Sequence, residues 1–232
     1  MNKTENTINQ QDKWNDFYIE KAKVNYLKWP NEPMIKTLFG NYSKFGNYSK
    51  PDSSWKILDV GCGFGNNLIP FLDIGCDCYG VEIDNNICNL TSELLKKRGF
   101  KAKIEFGSNR SLPYDDGYFD LLLSVATIHY EGTEENIISA LREFRRVLKP
   151  GGLLYIATAG PNHRIYTESQ LLGNHRYKVQ NYDFRDGQEF FFFDNKKYLE
   201  HYLLNFFEHT EVGQITEDLF GFKVDHLISL SW

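Results

Sequence analysis

Three glycines stand at alternate positions in Ile57-Leu58-Asp59-Val60-Gly61-Cys62-Gly63-Phe64-Gly65-Asn66-Asn67, straight after an apolar run. Glycine costs conformational entropy and contributes no packing, so such a turn must need the bare backbone. The apolar run, residues 56–60, reads as a buried strand, and residues 67–74 read as the helix it hands over to. The same rhythm continues: strands over 77–83, 102–106, 119–125 and 153–158 alternate with helices over 85–98 and 134–148. In the first of these helices Ile87, Leu90, Leu94 and Leu95 share a face and Gly99 is the stop. In the second, Ile137, Leu141, Phe144 and Leu148 are in register before Lys149-Pro150-Gly151-Gly152. Strands alternating with helices predict a Rossmann-like, doubly wound α/β fold, its parallel sheet covered on both faces.

The flanks are less regular. Residues 1–12 are expected to fray. Trp14, Phe17, Tyr18 and Ala22 fit an amphipathic helix over 14–28, which Trp29-Pro30 ends. A second helix is expected over 31–42, with Pro33 tolerated in its first turn. The tandem repeat FGNYSKFGNYSK, residues 39–50, reads as an insertion in a surface connection. Residues 1–50 thus form a helical N-terminal segment, a lid on one domain spanning 51–232. Between 160 and 194 polar, aromatic and basic residues replace the strand-helix rhythm. Asp194 is then expected to cap a helix over 196–207, and strand-like runs over 210–216 and 223–230 finish the chain.

A chain of 232 residues is long enough for one core of several layers. Its net charge of −5 argues against a surface built to coat nucleic acid, which needs many Lys and Arg. Cys62, Cys76, Cys78 and Cys88 form no CxxC pair and no His cluster completes a zinc set, so no metal is expected. Reduced thiols, a polar N-terminus without an apolar signal region, and no membrane-length apolar run predict a cytoplasmic protein without membrane contact.

A sheet of this kind binds ligands beyond the carboxyl ends of its strands, where Gly61, Gly63 and Gly65 fall. The dinucleotide pattern GxGxxG would need glycine at position 66, which is Asn66, so a nicotinamide oxidoreductase is disfavoured. Glu82, at the end of the second strand, lies about 20 residues beyond the turn, the separation at which a carboxylate meets ribose hydroxyls.

Four stretches carry a resemblance. Asp59-Val60-Gly61-Cys62-Gly63-Phe64-Gly65, Gly80-Val81-Glu82-Ile83-Asp84, SLPYDDGYFDLLLS (111–124) and EFRRVLKPGGLLYI (143–156) resemble, in order, the landmarks of class I S-adenosylmethionine-dependent methyltransferases. The resemblance implies a seven-stranded sheet whose last strand is antiparallel, and S-adenosylmethionine as the cofactor. It implies that Gly61, Gly63 and Gly65 pass beside the methionine part, that Asp59 steadies the turn or reaches the amino group through water, that Glu82 holds the ribose and that Ile83 packs on adenine. Ser124, ending the fourth strand, belongs to the same implied cofactor set. One departure stands out: where the family often has Gly-Asp-Ala, this chain has Gly107-Ser108-Asn109-Arg110. Ser108 takes the acidic position, with Asn109 as the compensating group.

The run Ser124-Val125-Ala126-Thr127-Ile128-His129-Tyr130 lacks the Asn/Asp-Pro-Pro-aromatic motif of base-modifying amino methyltransferases. No Pro-Cys pair and no carboxylate trio for magnesium occur either, which leaves a small-molecule acceptor. His129 is the candidate base, since its ordinary pKa lies near working pH, with a structural hydrogen bond as the alternative. His163, Arg164, His175 and Arg176 in the irregular segment suggest an anionic or phosphate-bearing acceptor, and Tyr18 and Trp29 could lid the pocket. Residues 14–32 are similar to the head of small bacterial methyltransferases from surface-polysaccharide pathways. That implies O-methylation of a carbohydrate-related or phosphoramidate-type metabolite. The alternatives are N- or O-methylation of another metabolite, or a cofactor-binding sensor without catalysis.

Overall fold

In the computed structural model, residues 10–24, 29–40 and 48–232 are described. Among them the strands are β1 (Lys56–Val60), β2 (Asp77–Glu82), β3 (Lys103–Phe106), β4 (Phe119–Val125), β5 (Leu148–Ala159), β6 (Gln170–Gly173), β7 (Arg176–Lys178), β8 (Glu189–Phe191), β9 (Thr210–Leu219) and β10 (Phe222–Ser231). The helices are α1 (Gln10–Lys23), α2 (Glu32–Leu38), α3 (Ile69–Asp73), α4 (Asn85–Lys97), α5 (Glu134–Val147), α6 (Arg164–Thr167) and α7 (Lys196–Leu203).

The central sheet has the order β3-β2-β1-β4-β5-β10-β9. Its first five strands are parallel, and β10 runs antiparallel to both neighbours. Strand order reverses beside β1, so a crevice opens at the carboxyl ends of β1 and β4. Side chains alternate between two cores, as the period of a strand demands. Leu58, Leu122, Leu154 and Ile156 face Ile137, Leu141 and Phe144 of α5 and Leu199 of α7. Ile57, Leu121, Leu123 and Tyr155 face Met34 and Leu38 of α2 and Phe71 of α3. Both faces are dry, which is why these strands read as apolar runs.

Several boundaries differ from expectation. Helix α1 begins at Gln10, so residues 10–12 are helical rather than frayed; its expected end, 25–28, and most of the tandem repeat, 41–47, lie outside the described residues. Helix α2 stops at Leu38, and Asn31 caps it by accepting from Met34 N at 3.0 Å. After the glycine turn a 3-10 turn over Asn66–Leu68 leads into α3, which is only five residues long. Strand β5 starts at Leu148 because Leu148 pairs with Phe119, and a register shift before Leu121 absorbs the Pro-Gly-Gly corner. The cap of α7 is Asn195, accepting from Tyr198 N at 3.0 Å, not Asp194. Asp194 instead accepts from Tyr166 Oη at 2.7 Å and pairs with His175 at 3.0 Å.

The segment after β5 is more ordered than its composition suggests. Strands β6, β7 and β8 form a separate antiparallel sheet. They were illegible because each has only three or four residues, too few for a periodic signal. Phe190-Phe191-Phe192-Phe193 bolts this subsheet down. Phe191 and Phe193 enter the main core while Phe190 and Phe192 enter a small core with Ile165 and Val179, all four fully buried. At about 1.5–3 kcal/mol for each buried large apolar side chain, the run anchors the insertion firmly.

Candidate active site

The glycine turn leaves β1 at the crevice. Gly61 N and Cys62 N donate to Val81 O at 2.8 and 3.2 Å, tying the turn to β2. A Cβ on Gly61, where φ is +69°, would overlap the Thr127 methyl group; one on Gly63, at φ +53°, would lie 2.7 Å from the Tyr18 hydroxyl. Close approach and left-handed backbone both demand glycine there. Gly65 has another reason. It faces away from the crevice, and a Cβ would meet Leu95 of α4 at 3.0 Å, so its bareness serves helix packing.

Glu82 ends β2 beside the turn, 5% exposed. Its Oε1 accepts from Gly63 N at 2.7 Å and its Oε2 from Ile83 N at 3.2 Å. Burial raises its pKa from 4.5 to about 7, against the pull of those two N–H groups. Asp59 lies beneath the turn, wholly buried, with neither oxygen hydrogen-bonded. Burial and the nearby Glu82 carboxylate push its pKa well up; the Asn67 side chain works weakly the other way. Ile83, 40% exposed, forms the rim with Ser108. Asn109 Nδ2 donates to Glu131 Oε1 at 2.8 Å, while its buried Oδ1 has no partner. Ser124 does not reach the crevice, because its hydroxyl is spent on Thr127 Oγ1 at 2.7 Å.

Gly61, Gly63, Glu82, Ile83, Ser108 and Asn109 open onto one cavity of about 1020 Å³. That is at the upper end for small-ligand sites, room for a nucleoside cofactor together with a second small molecule. Helix α1 roofs it. Gln11 Nε2 donates to Ile83 O at 2.7 Å, at the Glu82 end, and Phe17 stacks on Phe184 of the insertion at 4.0 Å. Trp14 packs edge-on against Tyr130 and Phe184 at 5.0 and 4.7 Å. Tyr18 lies between the two ends: burial and Glu82 raise its pKa well above 10, and Arg185 opposes them. Trp29 stands at the mouth, 81% exposed.

The residues expected to serve the acceptor are placed differently. His129 lies behind the wall formed by Tyr130, with Nδ1 3.0 Å from Thr158 Oγ1 and the Tyr130 and Phe190 rings 4.6 and 5.0 Å away. Burial, with the Arg185 charge nearby, lowers its pKa to about 3. It is a neutral, hydrogen-bonded ring behind the surface, not a base open to an acceptor. His163 caps α6 by accepting from Ile165 N at 3.1 Å. Arg164 pairs with Glu168 at 2.8 Å, and Arg176 with Glu189 at 2.5 Å. None of these lines the cavity, nor does His175. Among the residues that do, Trp14 and Phe17 belong to the apolar face expected of the first helix, while Tyr130, Tyr182 and Arg185 carried only one visible signal. In Tyr182-Asp183-Phe184-Arg185 a cation is set among aromatics and turn-forming residues.

Among the described residues no group of three metal-type ligands comes together, and no helix is long and apolar enough to cross a membrane. Asn109, which lines the crevice with an unpaired side-chain oxygen, and the bare glycine turn suit a nucleoside with an amino-acid tail.

The comparisons agree with this geometry. Residues 58–156 match a family model described as "Methyltransferase domain". The chain is 34% identical over 160 residues to human "Probable tRNA methyltransferase 9B", covering 66% of this chain and 33% of that protein. It is 32% identical over 118 residues to norajmaline N-methyltransferase of Rauvolfia serpentina, covering 49% and 39%. The chain thus spans well under half the length of these curated relatives. Among solved structures, a SAM-dependent methyltransferase from Methanosarcina mazei superposes with a TM-score of 0.65 at 21% identity, covering 82% of this chain and 96% of that one. A methyltransferase solved in complex with the Haloferax volcanii Trm112 activator also gives 0.65, at 13% identity and 96% and 97% coverage. At such identities the superpositions speak for the fold. Motifs, sheet order and family match together liken residues 58–156 to a class I methyltransferase domain and support S-adenosylmethionine as its methyl donor.

Proposed function

We propose that the chain transfers a methyl group from S-adenosylmethionine to a small-molecule acceptor enclosed between α1 and residues 160–194. The observation that supports this most is the continuity of the cavity, from the glycine turn and Glu82 at one end to an aromatic, Arg185-bearing chamber at the other. In this reading Glu82 accepts from the ribose hydroxyls, Ile83 covers the adenine, Ser108 and Asn109 meet its edge, and Gly61 and Gly63 let the methionine part lie on the main chain. Asp59 braces the turn from below. The donor supplies a methyl carbon activated by a sulfonium; the protein positions the acceptor in line and keeps water out. The N-terminal segment, residues 1–50, of which α1 is the described part over the cavity, acts as the lid, and His129 props Tyr130 from behind.

The finer reading is O-methylation of a carbohydrate-related metabolite of surface-polysaccharide synthesis, in the cytoplasm. Aromatic faces edged by tyrosine hydroxyls suit a sugar ring, and four free cysteines suit a reducing compartment. A second reading comes from the relatives named tRNA methyltransferases, which makes a nucleic-acid acceptor the competitor. Methyl-labelled S-adenosylmethionine offered with a sugar-nucleotide panel and, separately, with unmodified tRNA decides between them. Label in the soluble sugar fraction is expected; label in tRNA would overturn the small-molecule reading. Binding of S-adenosylhomocysteine with no transfer to any acceptor would point to a sensor.

A further inference from the structure

The cations first expected to recognise the acceptor lie outside the cavity, which leaves Lys21 and Arg185 along it. Lys21 extends beside Phe17, 5.6 Å from that ring. Arg185 is built into the wall, its side chain 24% exposed. Its Nε donates to Tyr130 Oη at 2.7 Å, its Nη1 pairs with Asp183 Oδ2 at 2.5 Å, and its guanidinium lies 4.6 Å from the Phe184 ring centre. The donors of Nη2 have no partner among the described residues.

The backbone is bent to keep it there. Asn181 and Asp183 have φ of +55° and +47°, a conformation that costs about 1–2 kcal/mol in residues with side chains and that Asn and Asp tolerate best. Asn181 N donates to Asp186 Oδ1 at 2.8 Å and Arg185 N to Asp183 Oδ1 at 3.0 Å, so the strained turn is held from within. Strain that neighbouring bonds over-determine is found where a geometry is being kept for use.

We propose that Arg185 is an anion-binding residue of the acceptor site, and that the acceptor carries a carboxylate or phosphate group. The proposal rests on the methyl-transfer reading above and narrows its substrate class. A guanidinium fork matches either oxyanion, and a neutral acceptor would leave Nη2 without a charged partner. Asp183, 43% exposed and thus the wetter partner, neutralises Arg185 until an anion arrives and then yields to solvent.

The test uses probes rather than the acceptor. The full chain, saturated with S-adenosylhomocysteine, is titrated with benzoate, phenyl phosphate and neutral benzamide while tryptophan fluorescence is followed. At least one anion should bind about tenfold more tightly than benzamide, as charge-assisted hydrogen bonds imply. Arg185→Gln should abolish that preference and leave S-adenosylhomocysteine affinity within about twofold. The tighter anion names the acid class. Equal binding of benzamide, no binding of either anion, or a preference kept by Arg185→Gln overturns the proposal. If that variant does not fold, Asp183→Asn serves instead: freeing the guanidinium should tighten the favoured anion, and weaker or unchanged binding overturns the idea. Should the parent protein fail to bind S-adenosylhomocysteine, the methyl-transfer reading falls, and the same titrations without it still judge Arg185.

Discussion

The two ends of the cavity are built from different materials. The end under Glu82 is mostly main chain: a turn whose N–H groups are tied to β2 and whose Cβ positions are already filled by Thr127 and Tyr18. The other end is mostly side chains, Trp14 and Phe17 from α1 meeting Phe184 of the insertion beside Arg185, with five of the sheet's seven strands between them in the chain. A wall of backbone cannot change without breaking the fold, whereas a wall of side chains can be exchanged. Substitutions at the first end should therefore cost folding or cofactor, and substitutions at the second should change what else is bound.

The largest effect is expected from Gly61→Ala. Left-handed strain and overlap with Thr127 should together remove about 3 kcal/mol, read as a lower urea midpoint. A variant as stable as the parent would break the contrast at its strongest point. Next, Glu82→Gln should weaken S-adenosylhomocysteine binding about 10- to 100-fold by calorimetry, since a charged acceptor for two hydroxyls is lost. Unchanged affinity would mean that the ribose is held elsewhere.

The same carboxylate sharpens the contrast through pH. Its folded pKa of about 7 is raised above the ordinary 4.5, so between those values the native state holds the extra proton. The Glu82 contribution to the stability of the free protein, read as the difference between the parent and Glu82→Gln, should then fall as pH rises from about 4.5 to 7, against the opposite slope that the depressed His129 adds below about 6.5. Affinity for S-adenosylhomocysteine should move the opposite way, rising through pH 7, because the hydroxyls want the ionised form. Asp59, raised in the same direction, adds to the first trend. Melting curves and calorimetry at several pH values check both signs, and Glu82→Gln should flatten the affinity profile.

Smaller effects belong behind the aromatic wall. His129→Ala should cost about 1–3 kcal/mol by leaving Thr158 unpaired and a cavity beside Phe190, with cofactor affinity within about twofold. Loss of turnover without loss of stability would return His129 to a direct role. Smallest of all, Arg164→Ala removes an exposed pair with Glu168 and should leave both the melting point and anion binding unmoved.

The same division explains what the chain's letters reveal. The parallel strands, α4 and α5, and the position of Glu82 were legible because each follows from periodicity or from spacing along one stretch. Strands β6 to β8 were not, since three residues carry no period, and the phenylalanine run at 190–193 reads equally as any buried segment until two cores are seen to share it. Arg185 was passed over for His163 and Arg176 because proximity to β5 in sequence is a poor guide to proximity to a ligand. Which cation faces a cavity depends on a turn with two left-handed residues, and nothing in the composition reports φ. Ser124 and Gly65 carry the converse lesson: both sit within the motifs, yet neither lines the cavity.

One contact made by α1 reaches further than its length suggests. Because a single helix bonds Ile83 O through Gln11 and stacks on Phe184 through Phe17, the two ligands share one roof. Whatever factor S-adenosylhomocysteine contributes to benzoate affinity, benzoate must return to S-adenosylhomocysteine. Paired titrations would show the reciprocity, and truncation before Phe17 should abolish it, leaving two guests that ignore each other.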